Sequence, residues 1–478
     1  MIRKKNMIPL ITVSAAAVLL MLSLFIKPLI GLADNGDFYR IMHSVGIKYI
    51  NNGESHYERY FGFTHVLYSL AFPNGVHYWT TEVPIVYASI WLNRLLFSNN
   101  TFDIRFLSLV YSLFYLAALY LLIRQNRHLP ARYYFVFAII YVIIFTDIGY
   151  SSYFNSFFGE PVSYVFLLLT WFISFHIVSQ KMPSHWLLPL FWLSGLMLFG
   201  AKTQNVPIAI ALGLMSLLFI RLRKDKLWRS LAIAGALVPI ILGALILLST
   251  PQDLRVINTY QTVFYGVLKN SPSPEQDLQQ LGVNPDLAVL AGTNYFTKKT
   301  AISPDSPQLI KPFYSRITYS KIAWFYIQHP YRFLLKLQAT AQHAADIRPL
   351  YLGNYVKSEH LPYGSVAHFS SLWSSMKKSI LPHRLVFYFI FFMVYFAGAG
   401  AVWRSSPDSR RKIEASVYVL WGAAAILTFV IPVLGDGEAD LSKHLFLFNV
   451  FFDLMLLSIV KWIIEAFSQQ KENHAAQD

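Results

Sequence analysis

The sequence predicts an all-α integral membrane protein of about ten transmembrane helices, with interfacial helices in two long extracytoplasmic loops. Three observations predict it. Of 478 residues, 55% are hydrophobic and only 14% charged, too little polar surface to clothe a water-soluble core. Apolar runs of the roughly 20 residues that a bilayer-crossing helix needs recur along the chain. The formal charge of +15 gathers in short loops between those runs, which marks cytoplasmic loops rather than a nucleic-acid surface. The absence of cysteine excludes disulfides, thiolate catalysis and cysteine-held metals, and favours a bacterial membrane.

The N-terminus places Arg3-Lys4-Lys5 before an apolar run from about Met7 to Leu32. The run is longer than a signal-peptide core and no small-residue cleavage site follows, so it reads as a retained first helix entering from the cytoplasm. Basic loops at 124–132, 221–229 and 404–412, a weaker one around Lys181 and the tail after Lys461 all fall inside for spans near 103–124, 133–148, 161–180, 185–200, 204–221, 229–249, 384–403, 413–434 and 444–466. Both termini are then cytoplasmic. The segment from Val83 to Phe97 is short, starts at Glu82-Val83-Pro84 and carries Asn93 and Arg94. It fits an interfacial helix better than a span. Two outer segments are long. The chain divides into an N-terminal transmembrane module (1–249) holding the first outer loop (34–103), a large outer region (250–383) and C-terminal transmembrane helices (384–478). Within the large region, Lys321 to Lys336 has the aromatic and basic mixture of a second interfacial helix, or of an ordinary soluble amphipathic one. No internal or inverted repeat is present, which argues against a carrier.

Polar side chains sort by side. The outer exits carry Asp34, Asp37 and Arg40, then Asp147 and Glu160-Pro161, then Lys202, then Asp440, Lys443 and His444; the inner loops are plain basic punctuation. Each group has a local explanation. Asp34 suits an Asx turn, Glu160-Pro161 a helix start, Lys202 a snorkelling lysine, and Lys443 beside Asp440 a local ion pair. Independent caps need not share one side of a membrane, however, nor mix acids with Arg, Lys and His. No His-Glu-x-x-His, nucleophile elbow or Gly-rich phosphate loop occurs, so zincin, serine-hydrolase and nucleotide-driven chemistry are unsupported. Carboxylates can take a hydroxyl proton or hold a cation, while Arg, Lys and His neutralise phosphate. At an outer membrane surface that set suits a lipid-linked phosphosugar.

The architecture resembles the GT-C superfamily of polyprenyl-phosphate-sugar-dependent membrane glycosyltransferases. The resemblance rests on the acidic motif of the first outer loop and on Pro84-Ile85-Val86-Tyr87 leading to Asn93-Arg94-Leu95-Leu96-Phe97. Ile104-Arg105-Phe106-Leu107-Ser108 then opens the next span, and a second acid follows the third. Asp37-Phe38-Tyr39-Arg40 is similar to the acid–x–x–Arg pattern of the aminoarabinose and protein-mannosyl transferase-like branch, except that Phe38 stands where a second acid is usual. Short stretches also resemble Gram-positive proteins of secondary cell-wall glycosylation.

The resemblance implies inverting transfer of a sugar from a polyprenyl-phosphate donor to a cell-envelope glycan, lipid or protein acceptor, at the outer face of a bacterial cell membrane. Asp37, or Asp34, is then the base. Glu160, with Asp147, orients the acceptor or binds a divalent cation (Mg2+ or Mn2+). Arg40, Lys202, Lys443 and His444 hold the lipid phosphate, with Arg348 and Asp440 as further substrate-binding residues. The alternatives are a transporter or flippase of lipid-linked sugars, which would spread its charges toward the midplane and both gates, and a lipid-linked glycan polymerase or ligase using a pyrophosphate donor.

Overall fold

The computed structural model describes residues 2–51, 53–73 and 78–475, and the side chains of 5–468 within them. The basic side chains of Arg3 and Lys4 and the end of the C-terminal tail lie outside the described side chains. Among the described residues, eight helices are long and apolar enough to cross a membrane, or nine if one bent pair is a single span. The chain is an all-α membrane protein. The difference from ten has two local causes. The segment expected at 185–200 is the 13-residue helix Leu187–Phe199, about 20 Å long and too short to cross. The span expected at 133–148 is Ala131–Phe145 continued by Ile148–Asn155 after a 42° bend. There Asp147 takes an extended conformation and accepts from the Gly149 amide at 2.7 Å, restarting the helix as an N-cap.

The first helix ends at Leu24, not Leu32. Lys27 precedes Pro28, a position disfavoured in helical conformation, and Leu29 to Ala33 continue as a buried extended strand of chain. That stretch is held by the segment between residues 250 and 383. Gly31 and Ala33 amides donate to the Asn354 and Gly353 carbonyls at 3.0 and 2.9 Å, and the Asn354 side chain donates to the Gly31 carbonyl at 2.7 Å. Between residues 34 and 103, three short strands, β1 (Ile47–Lys48), β2 (Leu67–Leu70) and β3 (Thr101–Asp103), pair antiparallel in chain order. The helical periodicity gave no sign of them.

Helix Glu82–Leu96 has the 15 residues of a non-spanning element. Its Ile85, Val86, Ile90 and Asn93 are buried, while Trp91, Leu95 and Leu96 are exposed. Asn93 closes the following turn, donating to the Ser98 and Thr101 carbonyls and accepting from the Asp103 amide. The expected helix over 321–336 is two helices, Tyr319–Gln328 and Pro330–His343, broken at His329-Pro330. Lys336 is buried against Glu438 at 2.7 Å rather than spread on a head-group layer.

The segment from 250 to 383 has a small core of its own around Phe264, Leu278, Leu290, Phe313 and Phe325. It is also pinned to the bundle by a fully buried ion pair, Lys377 to Asp453 at 2.7 Å. The Tyr150 hydroxyl and Trp373 indole donate to the same carboxylate, at 2.5 and 2.9 Å. A buried pair this well supplied with donors avoids the desolvation loss that isolated buried ions suffer.

Candidate functional site

The N-terminal end of helix Glu160–Ser179 is the pivot of the site. Gly159 permits it: a Cβ there would lie 2.8 Å from the Ala201 carbonyl and 3.0 Å from Lys202 Cγ. Lys202 can therefore cross closely and place its ammonium 2.7 Å from Glu160 Oε1. Glu160 sits in the first turn, where a carboxylate also meets the positive end of the helix.

The second pair spans the chain. Lys443 Nζ contacts the Asp37 carboxylate, whose other oxygen accepts from Arg40 at 2.7 Å. Lys443 is 2% exposed and Asp37 34%. The ammonium also lies 4.0 Å over the Phe158 ring and 3.4 Å from Asn35 Oδ1. Its aim depends on the turn from 436 to 440. Gly437 and Gly266 approach so closely that a Cβ on Gly437, which has φ +62°, would meet the Gln261 carbonyl at 2.6 Å. Glu438 anchors the turn from behind on Lys269 and Lys336, at 2.8 and 2.7 Å. Asp440 then adopts φ 44°, a left-handed conformation that Asp takes up more readily than most non-glycine residues, to start the turn of helix that carries Lys443 and His444.

Burial raises the Asp37 carboxyl, but Lys443 and then Arg40 outweigh it and hold the group well below the usual carboxylate range. Burial acts to lower Lys443, yet Asp37, Glu160 and Asp440 more than compensate and keep it charged. Asp440 is pushed up by burial, against the pull of Lys443 and His444. The Tyr351 phenol faces Asp440 and Asn35. His444 bridges Gln204 Oε1 at 2.7 Å and Asp436 Oδ2 at 3.0 Å.

Five of the ten residues singled out from the sequence thus form one inner cluster, Asp37, Arg40, Glu160, Lys202 and Lys443, with Asp440 and His444 at its edge. Three do not join it. Asp34 is buried and spent on its own loop, accepting from the Gly36 and Phe38 amides at 2.7 and 3.1 Å and from the Tyr49 hydroxyl at 2.8 Å. That is the Asx-turn role, and it spends both carboxylate oxygens on the loop itself. Asp147 caps its helix and accepts from the Ser374 amide at 2.9 Å. Arg348 is buried on Asn354 Oδ1 and the Ala367 carbonyl. Glu160 and Asp147 therefore answer to different partners. Among the described residues no three His, Asp or Glu groups lie together as a metal would need. This donor set does not fit a resident divalent cation.

Sequence reasoning missed Glu82. It is 1% exposed, its Oε1 has no partner, and it faces Glu160, whose Oε2 is also unpartnered. Burial first, and the Glu160 charge second, push the Glu82 carboxyl well above its ordinary range. Lys202 is committed to Glu160, so the protonated form of Glu82 is favoured. The sequence showed it only as the acid of a helix start.

The fold and this cluster define a polytopic membrane protein with a charged, partly open site at one end of its helical bundle. The chain belongs to the family described as the YfdI N-terminal transmembrane domain, whose model matches residues 1–478. No curated protein and no solved structure matches it.

Proposed function

We propose that the protein is a GT-C-type glycosyltransferase that moves a sugar from a polyprenyl-phosphate donor to an acceptor at the extracytoplasmic face of a bacterial cell membrane, both termini being cytoplasmic. One observation carries the reading. The inner cluster sets three cations, Arg40, Lys202 and Lys443, against two carboxylates, Asp37 and Glu160, with Glu82 neutral. One positive charge is left over, which matches the single charge of a phosphodiester such as a lipid phosphosugar.

In this reading the phosphate lies on Lys443 and Arg40 and draws both away from Asp37. The Asp37 carboxylate, freed from the groups that suppress its basicity, takes the proton of the acceptor hydroxyl. The acceptor oxygen bonds to the anomeric carbon as the bond from that carbon to the phosphate oxygen breaks, with inversion. The leaving polyprenyl phosphate gains negative charge, and fixed cations stabilise developing charge more than they stabilise the substrate. Lys202 is held in place by Glu160. The acceptor is a cell-envelope glycan, lipid or protein.

The experiment is polyprenyl-phosphate release by detergent-purified protein from synthetic polyprenyl-phosphate sugars, with cell-wall extract as acceptor. The wild type is expected to release lipid phosphate and Asp37→Asn to lose at least a hundredfold in rate, the lower range for removing a general base. Full activity in a folded Asp37→Asn protein would overturn the role of Asp37. Tight lipid binding without turnover of any donor would overturn the transferase in favour of a carrier.

A further inference from the structure

A cavity of about 220 Å3 opens at the other end of the bundle. Helix Glu160–Ser179 has Glu160 in the site described above and Ser179 lining this cavity, so the two lie roughly 28 Å apart along one helix axis. The cavity floor is aromatic. Tyr141, Trp171, Phe175 and Tyr418 line it and are buried, with Phe175 and Tyr418 ring centroids 4.2 Å apart. The mouth carries Arg411, Glu414, Lys461 and Glu465.

These ions are loosely opposed. Arg411 stands 3.7 Å from Glu414 and Lys461 stands 3.8 Å from Glu465. Other pairs in the chain close to 2.6 and 2.7 Å, as Arg332 does on Asp277 and Lys336 on Glu438. The other neighbour of the Lys461 ammonium is the Tyr418 hydroxyl at 3.5 Å. Glu465 also meets His128 at 2.8 Å. Donors on Arg411 and Lys461 therefore remain unspent beside a cavity that the protein does not fill.

Charge selects the ligand. With the His128 imidazole, which also lines the cavity, in its neutral form, two cations and two carboxylates leave the mouth neutral, so a singly charged guest would leave an uncompensated charge in a half-buried place. A guest with one phosphate and one ammonium replaces two loose pairs by shorter charge-assisted ones and leaves the net charge unchanged. The ring faces below accept an ammonium or an apolar body. Polar pockets between transmembrane helices near a membrane surface are suited to lipid head groups.

We propose that this cavity binds a zwitterionic phosphate–ammonium head group of the phosphoethanolamine kind, the phosphate on Arg411 and Lys461 and the ammonium on Glu414 and Glu465. The site is separate from the one assigned to sugar transfer and does not depend on it.

The test is native mass spectrometry of the delipidated full-length protein titrated with phosphatidylethanolamine, with phosphatidylglycerol of the same acyl chains, and with soluble glycerophosphoethanolamine. One saturable phosphatidylethanolamine site is expected, weakened about tenfold or more in Lys461→Met, the effect of deleting a charge-assisted hydrogen bond. Arg411→Gln, on a half-exposed side chain, gives the same reading if Lys461→Met does not fold. Competition by glycerophosphoethanolamine supports the head group as sufficient; binding of the lipid alone supports a membrane source anchored by its chains. Equal binding of phosphatidylglycerol, absence of a saturable site, or phosphatidylethanolamine binding unchanged in both variants would overturn the proposal.

Discussion

Deleting either end of the Asp37–Lys443 pair has unequal consequences, because the two ends are unequally buried. Asp37→Asn leaves the Lys443 ammonium, 2% exposed, without its contacting carboxylate, with Asn35, the Phe158 ring and a neutral amide beside it and Glu160 and Asp440 acting at longer range. Stranding one member of a fully buried pair costs about 3–5 kcal/mol. Asp37 is one-third open to solvent, so screening lowers the figure to about 2 kcal/mol. Lys443→Met leaves Asp37 on Arg40 and in contact with water, at about 1 kcal/mol. The double variant removes the stranded charge and is expected to cost less than the two singles together, with a coupling of about 1–2 kcal/mol. Unfolding free energies from denaturing-detergent titrations in mixed micelles measure all three. Strictly additive costs, or a Lys443→Met penalty above that of Asp37→Asn, would refute the geometry. The pH dependence follows from the same pair. The folded Asp37 carboxyl is held below its unfolded value near 4, so its contribution is complete above about pH 4 and lost as pH falls below it. Asp37→Asn removes that acid sensitivity.

The Glu82 carboxyl titrates in the opposite sense. Its folded value lies well above the unfolded one near 4.3, so the stability it contributes is present at low pH and lost as pH rises from about 4 toward the folded value. Glu82→Gln is expected to flatten this decline, read by unfolding at pH 5 and pH 9; an unchanged decline would show that Glu82 is ionised. Asp440 is also pushed up by burial, whereas Asp37 stays ionised. An acid limb of sugar-transfer rate above the ordinary carboxylate range is therefore expected to shift in Asp440→Asn, and a limb unmoved by that substitution would rule Asp440 out as its source. Asn354 is fully buried and ties Gly31, Arg348 and Ala367 together. Asn354→Ala is expected to cost about 2–4 kcal/mol, the loss of several buried hydrogen bonds with orphaned partners, and to admit protease to both outer segments; a cost under about 0.5 kcal/mol would contradict that role.

Most of the bundle was legible in the sequence, because membrane helices are set by local composition. A run of apolar residues must close its backbone hydrogen bonds internally wherever it lies. Each expected span has a helical counterpart within a few residues, from Arg105–Gln125 to Phe446–Ser468. The Glu82–Leu96 helix fell short of a span as its length and polar residues required. Errors fell where punctuation is tertiary. The chain after Leu24 is extended because Gly353 and Asn354 receive it, and nothing near residue 30 encodes residues more than 300 positions away.

The candidate site divides in the same way. That Asp37, Arg40, Glu160, Lys202 and Lys443 belong at one end of the bundle follows from where their apolar runs stop, a property of the sequence alone. Which of the acids are free for chemistry does not. Asp34 and Asp37 stand three residues apart with similar neighbours, yet one is consumed by Gly36, Phe38 and Tyr49 while the other meets Lys443. Only packing made that choice, since a carboxylate takes whichever donors the fold brings within about 3 Å. Glu82 is pushed toward its protonated form for the same reason: its charge state depends on burial and on Glu160 and Lys202, which the fold alone brings near it.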